Sequence, residues 1–307
     1  MRVLVTGGAG FIGSHVVDRL LADRHAVVAL DNLSTGRRER VNPAARLLVC
    51  DLRSARLDDA LATARPDAVV HLAAQASVPR SVADPRFDAS VNVFGTLGLL
   101  DAARRAAVGR VVYVSTGGAV YGDTDVLPTP EDHPTQPASP YGVSKLAGER
   151  YLECWAGLTG TPTLTLRLAN IYGPRQRRDL EGGVVAIFVG CWKRREPITL
   201  YGDGRYERDY VYIGDVAEAV VAALAGRHRG VYNIGTGVAT SVNDLVARLT
   251  ELLGPPPGIV HAPARPAEVL RGCVDPSKAR RERLWSPRTA LREGLRLTAR
   301  AEGALAG

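Results

Sequence analysis

Val3-Leu4-Val5-Thr6-Gly7-Gly8-Ala9-Gly10-Phe11-Ile12-Gly13-Ser14-His15 decides the reading of this chain. A short apolar, β-branched run leads into glycines at positions 7, 10 and 13, and an amphipathic segment carrying Phe11, Ile12, Val16, Val17, Leu20 and Leu21 follows at once. The pattern predicts strand, tight turn and helix. Gly7 lets the chain turn, Gly10 lets the backbone approach a ligand, and Gly13 lets the helix pack on the strand it has just left. The free N–H groups that open the helix then face an anion, most simply a pyrophosphate. Glycine spacing alone equally describes a plain structural turn. What separates the two readings is a second strand, Ala26 to Leu30, which ends in Asp31 at the distance where a carboxylate binds an adenosine ribose. A ribose 2′-hydroxyl donates to a carboxylate whereas a 2′-phosphate is repelled by it, so NAD is expected rather than NADP.

Strand and helix patterns alternate outward from this stretch, as in a parallel sheet covered on both faces. Arg46 to Cys50 reads as the third strand, closed by Asp51-Leu52, and Asp51 either meets an adenine amino group or caps the next turn. Ala68 to His71 reads as the fourth, running into Leu72-Ala73-Ala74-Gln75, whose small residues leave room for a cofactor at the strand ends. His71 is expected to be a packed core histidine. A long helix is expected from about Val82 to Ala106 with Asn92 inside it, then a fifth strand from Arg110 to Ser115. The loop from Asp123 to Pro137, rich in Pro, Asp and Thr, is expected on the surface. Val242 to Leu253 reads as an amphipathic helix of a second lobe, interrupted afterwards by Pro255-Pro256-Pro257.

With 307 residues, 46% of them apolar and 23% charged, the chain can bury a full core, and no apolar run is long enough to span a bilayer. The strand begins at the second residue, so no signal peptide is expected before it. Cys50, Cys154, Cys191 and Cys273 lack metal or redox spacing and read as reduced thiols of a cytoplasmic protein, with no metal site. The net charge of +7 comes from 36 arginines and only three lysines, Lys145, Lys193 and Lys278. Clusters such as Lys193-Arg194-Arg195 fall in helical segments as solvated faces and no nucleic-acid motif accompanies them, so neither nucleic acid nor membrane is an expected partner. Arginine in a cleft suits a diphosphate substrate.

Ser139-Pro140-Tyr141-Gly142-Val143-Ser144-Lys145 supplies the chemistry. Ser139 suits an N-cap and Pro140 the first helical position. Four residues separate Tyr141 from Lys145, so both share a helix face. An ammonium beside a phenol favours the phenolate, drawing a pKa normally about 10 toward neutrality, where it serves as a base.

These motifs resemble the extended short-chain dehydrogenase/reductase family, and within it the NAD-dependent nucleotide-sugar 4-epimerases of the UDP-glucose 4-epimerase type. The likeness is carried by Gly7 to Gly13, Asp31-Asn32-Leu33-Ser34-Thr35-Gly36, His71-Leu72-Ala73-Ala74, Tyr141 with Lys145, Arg167 through Asn170-Ile171-Tyr172-Gly173-Pro174-Arg175, and Gly202-Asp203-Gly204 with Arg208-Asp209-Tyr210-Val211. It implies an α/β fold, a Rossmann-type doubly wound parallel sheet with a smaller C-terminal α/β substrate lobe. Residues 1–168 would form the NAD domain, with 210–236 returning to it, and 169–307 mainly the lobe. It also implies that Tyr141 takes the proton of the sugar 4-hydroxyl while hydride passes from C4 to resident NAD and returns to the opposite face of a transient 4-keto sugar. Lys145 would bind the nicotinamide ribose and tune Tyr141. Phe11, Ile12, Asn32, Ser34, Thr35, Gly36, Asp51, Leu52, Gln75 and Asn92 would complete the cofactor site. Asn170 would hold the UDP diphosphate, Tyr201 would stack on uracil, Arg208 and Arg265 would pair with phosphate, and Glu268 would bind the ribose. A homodimer is implied by analogy alone.

The chain departs from the pattern at Gly117, where relatives carry Ser or Thr. Two accounts follow: Tyr141 acts directly on O4, which is the expectation, or Thr116 or Ser115 supplies the hydroxyl. Gly118 and Ala119 stand where 4,6-dehydratases place an Asp-Glu pair, which disfavours dehydration. Val184 and Val185 resemble the UDP-glucose/UDP-galactose enzymes, whereas Arg177 resembles the carboxylate-binding arginine of UDP-glucuronate 4-epimerases. Gly272 leaves room beside the sugar C2 group, which predicts tolerance of N-acetylated sugars. A non-catalytic NAD or nucleotide-sugar sensor is the rival of a different class, and retention of both Tyr141 and Lys145 argues against it.

Overall fold

The glycine turn joins β1 (Arg2–Thr6) to α1 (Phe11–Ala22). Gly7 sits at φ +70°, where its N–H donates to the Leu30 carbonyl at 2.8 Å, and a Cβ on Gly13 would stand 2.0 Å from the Gly7 oxygen. The two positions therefore admit no side chain. The structure, a computed structural model, describes residues 1–179, 183–264 and 269–305.

Onward from α1 run β2 (Ala26–Asp31), β3 (Arg46–Val49), α2 (Leu57–Ala64), β4 (Ala68–His71), α3 (Val78–Ala83), α4 (Pro85–Ala89), α5 (Gly95–Arg105), β5 (Arg110–Thr116), α6 (Gly117–Val120), α7 (Pro140–Thr159) and β6 (Thr163–Leu168). The second half holds β7 (Asn170–Tyr172), α8 (Val184–Arg194), β8 (Ile198–Tyr201), β9 (Glu207–Tyr212), α9 (Ile213–Ala225), β10 (Gly230–Ile234), β11 (Ala239–Ser241), α10 (Val242–Leu253), β12 (Ile259–Ala262), β13 (Arg271–Gly272), α11 (Ser277–Arg281) and α12 (Leu291–Ala301). Seven strands form one parallel sheet in the order β10-β6-β5-β4-β1-β2-β3. Its order reverses between β1 and β4, the place where open α/β sheets bind ligands.

Alternation along β1 explains why both faces are covered. Val3 and Val5 join Val16, Val17, Leu20 and Val220 in the core under α1 and α9, while Leu4 joins Leu30, Leu61, Leu99 and Trp155 under α2, α5 and α7. The central strands β1 and β4 are thus continuous buried runs instead of alternating ones. A third core of Phe188, Trp192, Leu245, Leu249 and Leu295 sits beneath β9, which pairs with β7, β11 and β13, and beside the β8–β12 pair. Among the described residues, no helix is long and apolar enough to cross a membrane.

Two expectations need correction. The segment from Val82 to Ala106 is not one helix: Asp84 caps α4 through its side chain (Phe87 N to Oδ1, 2.9 Å), Pro85 starts it, and Ser90–Phe94 forms a wider π turn before α5. Proline cannot donate its missing N–H to a preceding turn, so the chain restarts there. The 123–137 loop is not confined to the surface. Thr129 is buried, its N–H donating to the Cys273 carbonyl (2.9 Å) and its carbonyl accepting from Asp275 (2.8 Å), because backbone groups carried inside must find partners.

Candidate active site

A cleft of about 1000 Å³ runs from the glycine turn, along the carboxyl ends of β1, β2, β4 and β5, to β7, α8 and β8. At its near end, Ala9 N donates to Asp31 Oδ2 at 3.0 Å and Leu33 N to Oδ1 at 2.8 Å. Burial pushes the Asp31 carboxyl up, and these two N–H groups hold it back. A Cβ on Gly36 would lie 2.7 Å from Asp31 Oδ1, so glycine there keeps the carboxylate reachable. Asn32 and Arg53 both donate to Asp51, and the Arg53 contacts, backbone and guanidinium, hold that carboxyl well below its usual range. Gly7, Gly10, Phe11, Ile12, Gly13, Ser34, Thr35, Leu52 and Leu72 through Gln75 all border the cleft. Gly36 and Asn92 do not, though Asn92 holds Gln75 in place through Gln75 N to Asn92 Oδ1 (2.8 Å).

Ser139 caps α7 by accepting from Gly142 N at 3.2 Å, with Pro140 at the first helical position. Tyr141 and Lys145 consequently face the cleft together, half-buried and buried respectively. The Lys145 ammonium lies 4.2 Å over the Tyr113 ring, and burial lowers its pKa to about 8 against the upward pull of Glu149 and Asp88. One turn further on, Glu149 accepts from Arg167 Nε (3.1 Å to each oxygen) and Nη2 (2.7 Å), and from the Ser115 hydroxyl (2.5 Å). Burial pulls the Arg167 guanidinium down, but its bonds to Glu149 outweigh that and hold it above its ordinary value. Sequence reasoning missed Glu149, although its position four residues beyond Lys145 on the same face was a usable signal.

The same pair distinguishes the two hydroxyls at the end of β5. Ser115 is spent on Glu149, whereas Thr116 borders the cleft and its hydroxyl makes no hydrogen bond among the described residues. At Gly117 a Cβ would stand 2.6 Å from Val274 Cγ1, so a side chain has no room; at Gly118 it would meet Asn170 Oδ1 at 3.5 Å and Thr116 Oγ1 at 3.8 Å. His71 is a core residue as its surroundings predicted. The Thr96 hydroxyl donates to the Asn92 carbonyl (2.6 Å), so His71 Nε2–H donates to Thr96 (2.9 Å) and Nδ1 accepts from Thr6 (2.8 Å); burial, and after it the charge of Lys145, lower the ring's pKa to about 3 and keep it neutral.

At the far end Asn170, Val184, Val185, Tyr201 and Arg208 border the cleft, joined by Gln176 and Phe188 from the motifs around Arg177 and Val184, and by Thr199 and Tyr206, which carried no sequence signal. Arg177 is placed apart from them: its guanidinium binds Asp179 and donates to the Thr35 carbonyl at 3.4 Å. Gly272 lies on β13, where a Cβ would touch the Arg208 stem at 3.7 Å. Arg265 and Glu268 lie outside the described residues.

Comparison with known proteins agrees with this geometry. The model of the family described as NAD dependent epimerase/dehydratase matches residues 3–235. A UDP-glucose 4-epimerase of Mycolicibacterium smegmatis is 45% identical over 97% of both chains. The crystal structure of a UDP-glucose 4-epimerase from Thermotoga maritima, solved with UDP-glucose, superposes over 99% of both chains with a TM-score of 0.95 at 43% identity. That of a Thermus thermophilus UDP-glucose 4-epimerase in complex with NAD does so over 99% of this chain and 100% of its own, again at 0.95, with 44% identity. The chain belongs to the NAD dependent epimerase/dehydratase family.

Proposed function

We propose that the chain is an isomerase that interconverts UDP-glucose and UDP-galactose at C4 with NAD as resident cofactor. The observation that carries this is a single cleft in which Tyr141 and Lys145 stand between the glycine turn with Asp31 and the Asn170, Tyr201 and Arg208 group. NAD fits the near end on physical grounds: Gly10 and Gly13 keep side chains off the turn, and Asp31 is a buried carboxylate whose side-chain hydrogen bonds among the described residues come from backbone N–H groups, an acceptor suited to a ribose diol. When bound, NAD supplies reversible hydride acceptance, so the reaction has no net redox change.

The chain's own groups do the acid–base work. Tyr141 takes the 4-hydroxyl proton directly and returns it to the same oxygen, O4, once the 4-keto sugar has presented its opposite face, with the uncommitted Thr116 hydroxyl as a second hydrogen-bonding group for that oxygen. Lys145 stabilises the phenolate that this requires. Asn170 and Arg208 bind the diphosphate and Tyr201 the uracil, with Arg265 and Glu268 completing the set. Conversion of UDP-galactose to UDP-glucose with no reductant added, followed by NMR, tests the reading; an unchanged sugar spectrum with NAD retained would instead indicate a sensor. The glucuronate alternative is not favoured, because the Arg177 guanidinium is already engaged by Asp179 and the Thr35 carbonyl.

The homodimer is likewise a proposal, supported by an apolar stripe. Val143, Tyr151 and Leu158 recur at helical spacing on the outer face of α7, with Leu158 83% exposed, and Phe94 on the neighbouring π turn is 68% exposed. A stripe of that size is costly to leave in water. Phe94→Asp with Leu158→Asp is expected to halve the sedimenting mass; an unchanged mass rejects this face as the contact. Four unpaired thiols, three of them buried, suit the cytoplasmic location we propose.

A further inference from the structure

We propose that Asp88 is the counter-charge of Lys145, a positioning residue that keeps the ammonium in place behind Tyr141 without touching substrate. Asp88 is 1% exposed on α4, which packs against α7. Its Oδ1 accepts from Gln75 Nε2 (2.8 Å) and Asn92 Nδ2 (3.1 Å), and Asn92 Nδ2 also bonds the hydroxyl of Ser144 (3.0 Å), the residue before Lys145. Its Oδ2 is buried with no hydrogen-bond partner among the described residues. A carboxylate kept from water with one oxygen unbonded is costly, and a hydrogen-bond hub alone does not call for one: an asparagine would accept the same two bonds through one oxygen.

The charge becomes intelligible from what surrounds Lys145. From β5 it meets the Tyr113 ring, a phenol that burial keeps neutral; from β4, the neutral His71; from its own helix, Tyr141 one turn before and Glu149 one turn after. Glu149 already has its cation, Arg167 of β6. Asp88 is the remaining carboxylate acting on Lys145, and it has no cation paired to it among the described residues. Burial by itself drives a lysine toward its neutral form, so a second carboxylate within the buried shell opposes that loss. The consequence for catalysis rests on the epimerase reading above; the titration of Lys145 does not.

Competitive acetylation of Lys145 with acetic anhydride across pH, read by peptide mass spectrometry on the full chain, measures that titration whether or not the protein turns over sugar. Asp88→Asn keeps the two accepted hydrogen bonds and removes the charge, and Asp88→Ser removes it with a smaller side chain. In whichever variant folds, the Lys145 midpoint is expected to fall by about half a pH unit or more. In the Asn variant the alkaline limb of kcat is expected to move down with it. A labelling midpoint unchanged from the parent protein in a folded variant overturns the inference and leaves Asp88 as a hydrogen-bond hub. Absence of turnover in the parent protein would overturn the function proposed above while leaving the labelling result to decide the role of Asp88.

Discussion

Tyr141→Phe is expected to lower kcat by about 10²- to 10⁴-fold, with KM for the UDP-sugar changed far less. The substitution removes one oxygen from a half-buried position on α7 and leaves the Ser139 cap, the ring and the cleft wall in place. Binding of the nucleotide, carried by the far end of the cleft, stays nearly intact. The partial loss expected for Thr116→Val, about tenfold or less, is the natural contrast, because that hydroxyl contributes a hydrogen bond and not the proton-accepting group. Near-normal turnover in Tyr141→Phe would remove the phenol from the mechanism. Since Lys145 must be charged to favour the phenolate and its pKa is lowered to about 8, the account also expects kcat to fall as pH rises through that range. The sign follows from loss of the ammonium, not from ionisation of the sugar.

The second large effect concerns stability. Arg167→Leu leaves Glu149 buried without its cation; both side chains are at most 4% exposed, and breaking such a pair from one side costs about 3–5 kcal/mol. A denaturant midpoint lowered accordingly is expected, with activity reduced as the buried Glu149 carboxylate, which also holds Ser115 at the end of β5, loses its cation. Glu149→Leu combined with Arg167→Leu should recover part of the loss, because removing both charges leaves no uncompensated one. A single variant as stable as the parent chain would show that the pair carries no such weight.

What could be read from the sequence, and what could not, divides along the range of the interactions. The glycine turn, Asp31 at the end of β2 and the Tyr141–Lys145 pair are each set by residues a few positions apart, and local sterics or helical spacing reveal them. Glu149 with Arg167, Asp88 with Gln75, and Thr129 with Cys273 join residues from distant parts of the chain, which no periodicity records. The same limit explains the Val82 to Ala106 segment. Its apolar spacing is helical throughout, but Pro85 and the pull of Asn92 toward Gln75 break it into pieces. Arg177 shows a contact that the motif does not record: its guanidinium pairs with Asp179 and with the Thr35 carbonyl.

At the centre of the account is a sugar carbon that gives up its hydrogen and takes the same one back on the opposite face, with Tyr141 handling the proton on oxygen. UDP-galactose deuterated at C4, converted by the protein in ordinary water, tests this most directly. The account predicts UDP-glucose with the deuterium still on C4; product carrying solvent hydrogen at C4, or deuterium moved to C6, would contradict it.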